Sequence, residues 1–158
     1  MSAIERPLHK IMKDKSVIEK FGNRVKVQAG NKAPEGYIFN DKAFTFGAGV
    51  VVRSGIGKFP KGERGACWNN SLTIAYNNDD TQYCLGFAAG AKGHYEPHAW
   101  IKKGDEYYEV SPQETGGQTY VMCFEGSFSE FEALTKFMTG ESIVSAPMID
   151  LDGSIIIC

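Results

Sequence analysis

The chain has 158 residues, which suffices for one domain with a sizeable hydrophobic core. Its apolar content of 42% and charged content of 23% are typical of a globular protein. A net charge of −2 is too small to indicate binding to nucleic acid or to an anionic membrane. No apolar run approaches the ~20 residues that cross a bilayer, and residues 1–15 lack a hydrophobic stretch of signal-peptide length. We therefore expect a cytoplasmic protein.

The first third of the chain predicts a helical lead-in followed by strands. Residues 3–21 have apolar side chains at helical spacing, so a broken helical lead-in is expected over about 1–22. Alternating or apolar patterns predict strands at 25–29, 37–40 and 43–53. The glycine-rich residues 54–58 lack the glycine spacing and the final Lys-Ser/Thr of a phosphate-binding loop. We therefore expect them to form a loop with a flexible backbone that precedes Cys67.

The remaining elements alternate between helix and strand within a single predicted domain, residues 1–158. A helix is expected at 66–76, a buried strand at 81–89, a loop at 89–96 and a hairpin from 98–102 and 106–110. A further strand is expected at 119–124. Ser127 and Glu130 form a capping box that predicts the start of a helix, and Gly140 predicts its end. Extended segments are expected at 143–144 and 155–157.

Cys67 lies at the start of the predicted helix 66–76, a position that favours thiol chemistry. The backbone N–H groups of a first helical turn are unpaired and their field is positive, so they stabilise a thiolate and can face a developing oxyanion. The alternative is a small buried cysteine in an amphipathic helix. The other cysteines are expected to be free thiols in a reducing compartment, because no CxxC pair occurs; they are Cys84, Cys123 and Cys158.

The predicted hairpin brings a histidine and a carboxylate to one face of a sheet. With a Gly104-Asp105 turn, His98 lies diagonal to Glu109; with a Lys103-Gly104 turn, the two are directly opposite. Either register lets Glu109 hold one imidazole nitrogen and leaves the other for Cys67. Asp105, at the hairpin tip, is too far along the strand to reach His98.

Short motifs around these residues resemble those of a known superfamily. Gly65-Ala66-Cys67-Trp68 is similar to the nucleophile segment of papain-type cysteine peptidases. The fuller series resembles transglutaminase-like and related papain-fold proteins over about a third of the chain. It consists of Cys67-Trp68-Asn69-Asn70-Ser71, Tyr83-Cys84-Leu85-Gly86-Phe87, His98-Ala99-Trp100 and Glu109-Val110-Ser111-Pro112.

The resemblance implies an α+β papain-like (transglutaminase-like) fold, with a nucleophile helix packed on an antiparallel sheet. It also implies a cysteine-dependent acyl-transfer enzyme (a protease, amidase, deamidase or transglutaminase) with the triad Cys67, His98 and Glu109. The expected partner is a protein or peptide-like substrate, without cofactor, metal, nucleic acid or membrane. The alternative is a catalytically inactive papain-like binding or inhibitor protein. Oligomeric state and exact reaction stay open.

Two departures from the family pattern concern the site. The family acid is usually Asp or Asn, and Glu109 is longer. No Gln precedes Cys67 between Lys58 and Ala66, so Asn69, Asn70 or the Cys67 N–H must supply the oxyanion donor, although Asn70 suits a packing role equally well.

The remaining polar and aromatic candidates have weaker patterns. Trp68 and Trp100 are expected to pack around the site. The loosely spaced set of His94, Glu96 and His98 with Cys67 offers a zinc site only as a minor alternative.

Overall fold

The computed structural model describes residues 19–21, 24–28, 38–39, 47–60, 62–63, 66–89, 94–111 and 118–157. Residues 19–21 are helical, and the rest of the predicted N-terminal lead-in lies outside the described residues. The longer helices are α1 (Cys67–Asn77) and α2 (Phe128–Thr139). The strands are β1 (Val25–Val27), β2 (Ile38–Phe39), β3 (Ala48–Ser54), β4 (Thr81–Ala89), β5 (His94–Lys103), β6 (Glu106–Glu109), β7 (Gln118–Gly126), β8 (Met148–Ile149) and β9 (Ile155–Ile157).

Five of these strands close on themselves as a β-barrel. The ladder runs β5–β4–β7–β3–β6, and β6 pairs again with β5. All of its pairs are antiparallel except β3 with β6, which is parallel. The prediction of an α+β papain-like fold, with a helix on an antiparallel sheet, is therefore wrong: the described residues are mostly β structure around a closed barrel. Closure leaves no free edge among these five strands.

The barrel has an apolar interior to which every strand contributes. One buried cluster contains a side chain from each of the five strands, namely Val52, Cys84, Trp100, Tyr107 and Tyr120. Residues that alternate with these along β4 and β5, such as Leu85 and Ala99, face outward because successive strand residues point to opposite sides.

The outward side of the barrel carries the larger core. Leu72 and Ala75 of α1, Phe131 and Leu134 of α2 and Ile155 of β9 pack there. The three-stranded sheet β1–β9–β8 closes this core from the other side. Helix α1 thus lies against the outside of β5 and β4, with its first residue near the barrel end that holds His98.

The hairpin of β5 and β6 fixes the register on which the site depends. Lys103 pairs with Glu106 and Ile101 pairs with Tyr108, so the turn consists of Gly104 and Asp105. Gly104 has a φ of 61°, a left-handed conformation that glycine adopts without steric cost. This is the first of the two predicted registers, which is confirmed, and it makes His98 and Glu109 diagonal neighbours.

Strand β5 begins earlier than the sequence predicts. Residues 95–96 lie in the segment 89–96 that was expected to form a loop, yet they pair with β4, as does the neighbouring Pro97, which lies opposite Phe87. In the described structure β2 pairs with residues 94–95 and β6 with residues 101–103, so β4 alone flanks Pro97. A proline without an N–H is tolerated there because no second ladder requires the donor.

Helix α2 matches its sequence signals closely. Ser127 Oγ accepts from the N–H of Glu130, and the Ser127 N–H donates to the Glu130 carboxylate, which completes the capping box. Gly140 ends the helix in a left-handed conformation with φ of 82°. The prediction of an extended segment at 143–144 is wrong, and the short strand lies at Met148–Ile149 instead. Within the described residues, no helix has the length and apolarity to cross a membrane.

Candidate active site

Three elements bring the predicted triad together at one end of the barrel. Cys67 is the first residue of α1, His98 lies within β5 and Glu109 is the last residue of β6. A hydrogen bond of 2.6 Å joins His98 Nε2 to Glu109 Oε1. The predicted choice of Glu109 over Asp105 as the partner of His98 is thus confirmed.

The Glu109 carboxylate is buried and is hydrogen-bonded to three groups of the described part of the chain. Besides His98, the Tyr120 hydroxyl donates to Oε1 at 2.8 Å, and the Ser111 N–H donates to Oε2 at 3.1 Å. Glu109 is only 4% exposed, and a buried carboxylate is tolerated when donors replace its lost water. The sequence reasoning assigned no role to Tyr120 or to the Ser111 N–H.

His98 is hydrogen-bonded to Glu109, and Cys67 lies close enough to His98 to affect its pKa. Burial alone lowers the pKa of His98, but hydrogen bonds and charge from Cys67 and Glu109 outweigh it and raise the pKa to about 10. Because Nε2 is engaged by Glu109, the other ring nitrogen is left for the Cys67 thiol. His98 is therefore expected to be protonated at neutral pH, with the Glu109 carboxyl and the Cys67 sulfur as its neighbours.

At the start of α1, no side chain among the described residues caps the N–H groups next to Cys67. The N-cap residue is Ala66, whose methyl side chain cannot accept a hydrogen bond, and the first turn contains no acidic residue. The first helical bond runs from the Asn70 N–H to the Ala66 carbonyl, so the N–H groups of residues 67–69 precede the helical ladder. In contrast to the fully capped α2, this end can direct N–H groups at an anion.

Asn70 holds the preceding loop to α1. Its amide nitrogen donates to the Glu63 carbonyl at 2.7 Å and to Ser111 Oγ at 3.1 Å, while its amide oxygen accepts from the Glu63 N–H at 3.1 Å. A Cβ on Gly62 would lie 2.3 Å from the Asn70 amide carbon, so the loop approaches closely. An amide nitrogen has two protons, and both are used here, so neither is left for an oxyanion.

The other predicted supporting residues take different positions. Asn69 is exposed and lines a groove of about 350 Å³ beside α1 with Asn70 and Thr73. Trp68 is partly buried and packs on the outer core. Trp100 is fully buried inside the barrel, where its ring stacks on His98 with centroids 6.2 Å apart.

The glycine-rich residues 54–58 lie against the acid rather than ahead of the nucleophile. The Gly55 N–H donates to the backbone carbonyl of Glu109 at 2.8 Å. A Cβ on Gly55 would lie 2.7 Å from that same carbonyl oxygen, so a side chain there would displace the end of β6. This segment therefore helps to fix Glu109.

Replacement of Asn70 with alanine is expected to lower the free energy of unfolding by about 1–2 kcal/mol, because hydrogen bonds from the loop to α1 and to Ser111 are lost. Asn69→Ala, on the exposed side of the same turn, is expected to change it by less than about 0.5 kcal/mol. Urea unfolding of both variants measures the difference. An Asn70→Ala protein of unchanged stability would contradict the assigned role.

The zinc alternative finds no support among the described residues, which contain no group of three or more His, Cys, Asp or Glu side chains arranged to hold a metal ion. The side chain of His94 lies outside this part of the structure. Comparisons of the chain with protein-family models, curated proteins and solved structures found no match. A function for this chain is therefore inferred from the geometry of the site.

Proposed function

We propose that this chain is a cysteine-dependent acyl-transfer enzyme acting on a peptide or carboxamide carbonyl. The observation that carries the proposal is the grouping of Cys67, His98 and Glu109: His98 is hydrogen-bonded to Glu109, Cys67 is near enough to raise the pKa of His98, and the thiol lies at the start of a helix. A nucleophile, a base and a group that orients the base are the parts that thiol acyl transfer requires.

In the first step, the Cys67 thiolate attacks the carbonyl carbon and forms a carbon–sulfur bond. The carbonyl electron pair moves to oxygen, and N–H groups at the start of α1 stabilise this oxyanion. Collapse of the tetrahedral intermediate breaks the carbon–nitrogen bond, and the leaving amine or ammonia takes the proton from His98. The product of this step is a thioester on Cys67.

In the second step, His98 acts as the base. It accepts a proton from water or from an amine as that group attacks the thioester, and the Cys67 thiolate leaves. Water gives hydrolysis or deamidation, and an amine gives transfer. Glu109 holds Nε2 and so keeps the other nitrogen of the ring toward the sulfur. This chemistry uses a protein or peptide-like substrate and no cofactor.

A second candidate function is binding without turnover. Cys67 is 8% exposed and His98 is 4% exposed, so a substrate carbonyl reaches the sulfur only if neighbouring groups move aside. If the His98–Glu109 hydrogen bond contributes only to stability, the chain has no turnover and acts as a binding or inhibitory protein.

Turnover of small carboxamide and peptide substrates separates the two functions. Ammonia release and amine incorporation are measured for the wild type, for Cys67→Ala and for Cys123→Ala as a matched control. Cys123 is partly buried, and burial, offset in part by Arg24, raises its pKa to about 11. We expect Cys67→Ala to lose activity by about 10³-fold or more and Cys123→Ala to retain it. Equal activity in Cys67→Ala and wild type would rule out the proposed nucleophile.

A further inference from the structure

A tyrosine hydroxyl meets the carboxylate of the site inside the barrel. Tyr120 lies on β7, which is not paired with β6, yet its hydroxyl donates to Glu109 Oε1 at 2.8 Å. That oxygen is the same one that His98 Nε2 contacts at 2.6 Å. We propose that Tyr120 is a positioning residue that holds the Glu109 carboxyl group aligned on His98, a role that rests on the acyl-transfer function proposed above.

The aromatic ring of Tyr120 is fixed on two sides. It meets the Trp100 ring edge to face with centroids 5.0 Å apart, and it meets the His98 ring in the same manner at 5.9 Å. Tyr120 and Trp100 are both fully buried. Because the ring has little freedom to turn, its hydroxyl is held at one point on the carboxylate, and the carboxylate is held in turn toward His98.

Several side chains that can carry a charge surround the His98–Glu109 pair. Cys67 of α1, Glu109 of β6 and Tyr120 of β7 face His98. Cys84 of β4 packs in the same interior cluster, and burial raises its pKa well above the usual range, so it stays a neutral thiol. Among the described residues, Cys67 and Glu109 are therefore the titratable groups that raise the pKa of His98.

A donor to a buried carboxylate favours its ionised form, because the carboxylate has lost most of its water. Without the Tyr120 hydroxyl, Glu109 retains the Ser111 N–H and His98 as donors. The ionised carboxylate is then less stable than in the wild type. Since the carboxylate helps to raise the pKa of His98, protonated His98 gives less support to reaction at Cys67, and we expect labelling to weaken first at the acid end of the pH range.

The test compares Tyr120→Phe with Tyr107→Phe. Tyr107 contributes to the same barrel interior, but its hydroxyl donates to Glu125 at 3.4 Å, away from the triad. The rate of iodoacetamide labelling at Cys67 is measured from pH 4 to pH 9 by peptide mass spectrometry. In Tyr120→Phe we expect the acid limb, the part of the profile in which the labelling rate rises with pH, to move to higher pH by about one unit. Labelling within that limb should be about tenfold slower than in wild type, and the maximum rate at higher pH should stay within about twofold of wild type. Tyr107→Phe should superimpose on wild type.

A Tyr120→Phe profile that superimposes on wild type would overturn the proposal, as would an equal shift in Tyr107→Phe. Site-specific 3-fluorotyrosine at position 120 provides a variant of nearly the same shape with a more acidic hydroxyl. Its acid limb should move to lower pH, and an unmoved limb would also overturn the proposal, even if Tyr120→Phe did not fold. Labelling requires no turnover, so a wild type without amidase or transferase activity would refute the proposed function separately.

Discussion

His98→Ala is expected to slow the acylation of Cys67 near neutral pH by about 10²–10⁴-fold, the range that a positioned general base contributes. Burial lowers the pKa of His98, but Cys67 and Glu109 beside it raise the pKa to about 10. The wild-type site therefore holds a protonated imidazole near the Cys67 sulfur at neutral pH. Without the imidazole, the thiol has no adjacent base and reacts as an ordinary buried cysteine.

Acylation by p-nitrophenyl acetate measures this effect without any knowledge of the natural substrate. Release of p-nitrophenol gives the rate, and peptide mass spectrometry assigns the acetyl group to a cysteine. Wild-type and variant proteins must give matching circular dichroism spectra, which excludes a loss of fold. A His98→Ala protein that acetylates Cys67 within about threefold of the wild-type rate would show that the imidazole does not activate the thiol.

Glu109→Ala is expected to lower the free energy of unfolding by about 3–5 kcal/mol, because it removes one partner of the buried His98–Glu109 pair and leaves other buried polar groups without a hydrogen-bond partner. The groups left unpaired are His98 Nε2, the Tyr120 hydroxyl and the Ser111 N–H. Glu109→Gln preserves the shape and removes the charge, so its cost is expected to be smaller. Urea unfolding measures both.

The charge of Glu109 also predicts how the stability difference depends on pH. The pKa of His98 is raised in the folded protein from its usual 6.5 to about 10. A raised pKa contributes stability that is complete below about pH 6.5 and disappears as the pH rises through about 10. Glu109→Gln removes part of this contribution, so its deficit relative to wild type should be largest near pH 6 and smaller near pH 10.

Glu106→Gln is the matched control for Glu109→Gln. Glu106 also lies on β6 and accepts from a tyrosine, the Tyr108 hydroxyl at 2.6 Å, but its side chain is 44% exposed. Water can replace the lost partner there, so we expect a much smaller change in stability. Equal losses in the two glutamine variants would mean that burial of Glu109 has no special energetic role.

Local signals in the sequence were sufficient to predict the His98–Glu109 contact. A glycine at position 104 predicts a two-residue turn, and the alternation of strand side chains then places Glu109, rather than Asp105 or Glu106, on the side of His98. The capping box at Ser127 was likewise predictable, because its two hydrogen bonds join residues three apart. Both features depend on neighbours along the chain.

Contacts between distant segments could not be predicted in the same way. The barrel closes through the parallel pairing of β3 with β6, in which Val52 meets Tyr107, and neither strand carries a local signal for that partner. The papain-like fold prediction failed because the motifs define only short segments and not the way strands close around them. Tyr120 was overlooked for the same reason, since it reaches Glu109 across the barrel interior.

The group that donates to the oxyanion could not be identified from the sequence, because the choice depends on hydrogen bonds between distant residues. Asn70 has the right chemistry, but Glu63 and Ser111 occupy its amide protons. Ala66 is the N-cap residue of α1 and its side chain cannot cap the helix. This can be read from the sequence only when the first residue of the helix is known. A shift of one residue in the helix boundary decides whether Cys67 lies in the first turn, where its N–H group precedes the helical hydrogen bonds.

The most direct measurement of the central claim is the covalent intermediate itself. Wild-type protein is mixed with p-nitrophenyl acetate near pH 7, quenched in acid and digested, and acetylation is quantified at Cys67, Cys123 and Cys158. The account predicts a stoichiometric acetyl thioester at Cys67 that forms at least about tenfold faster than at either other cysteine and disappears when hydroxylamine is added. Acetylation of Cys67 no faster than that of Cys158 would contradict the account.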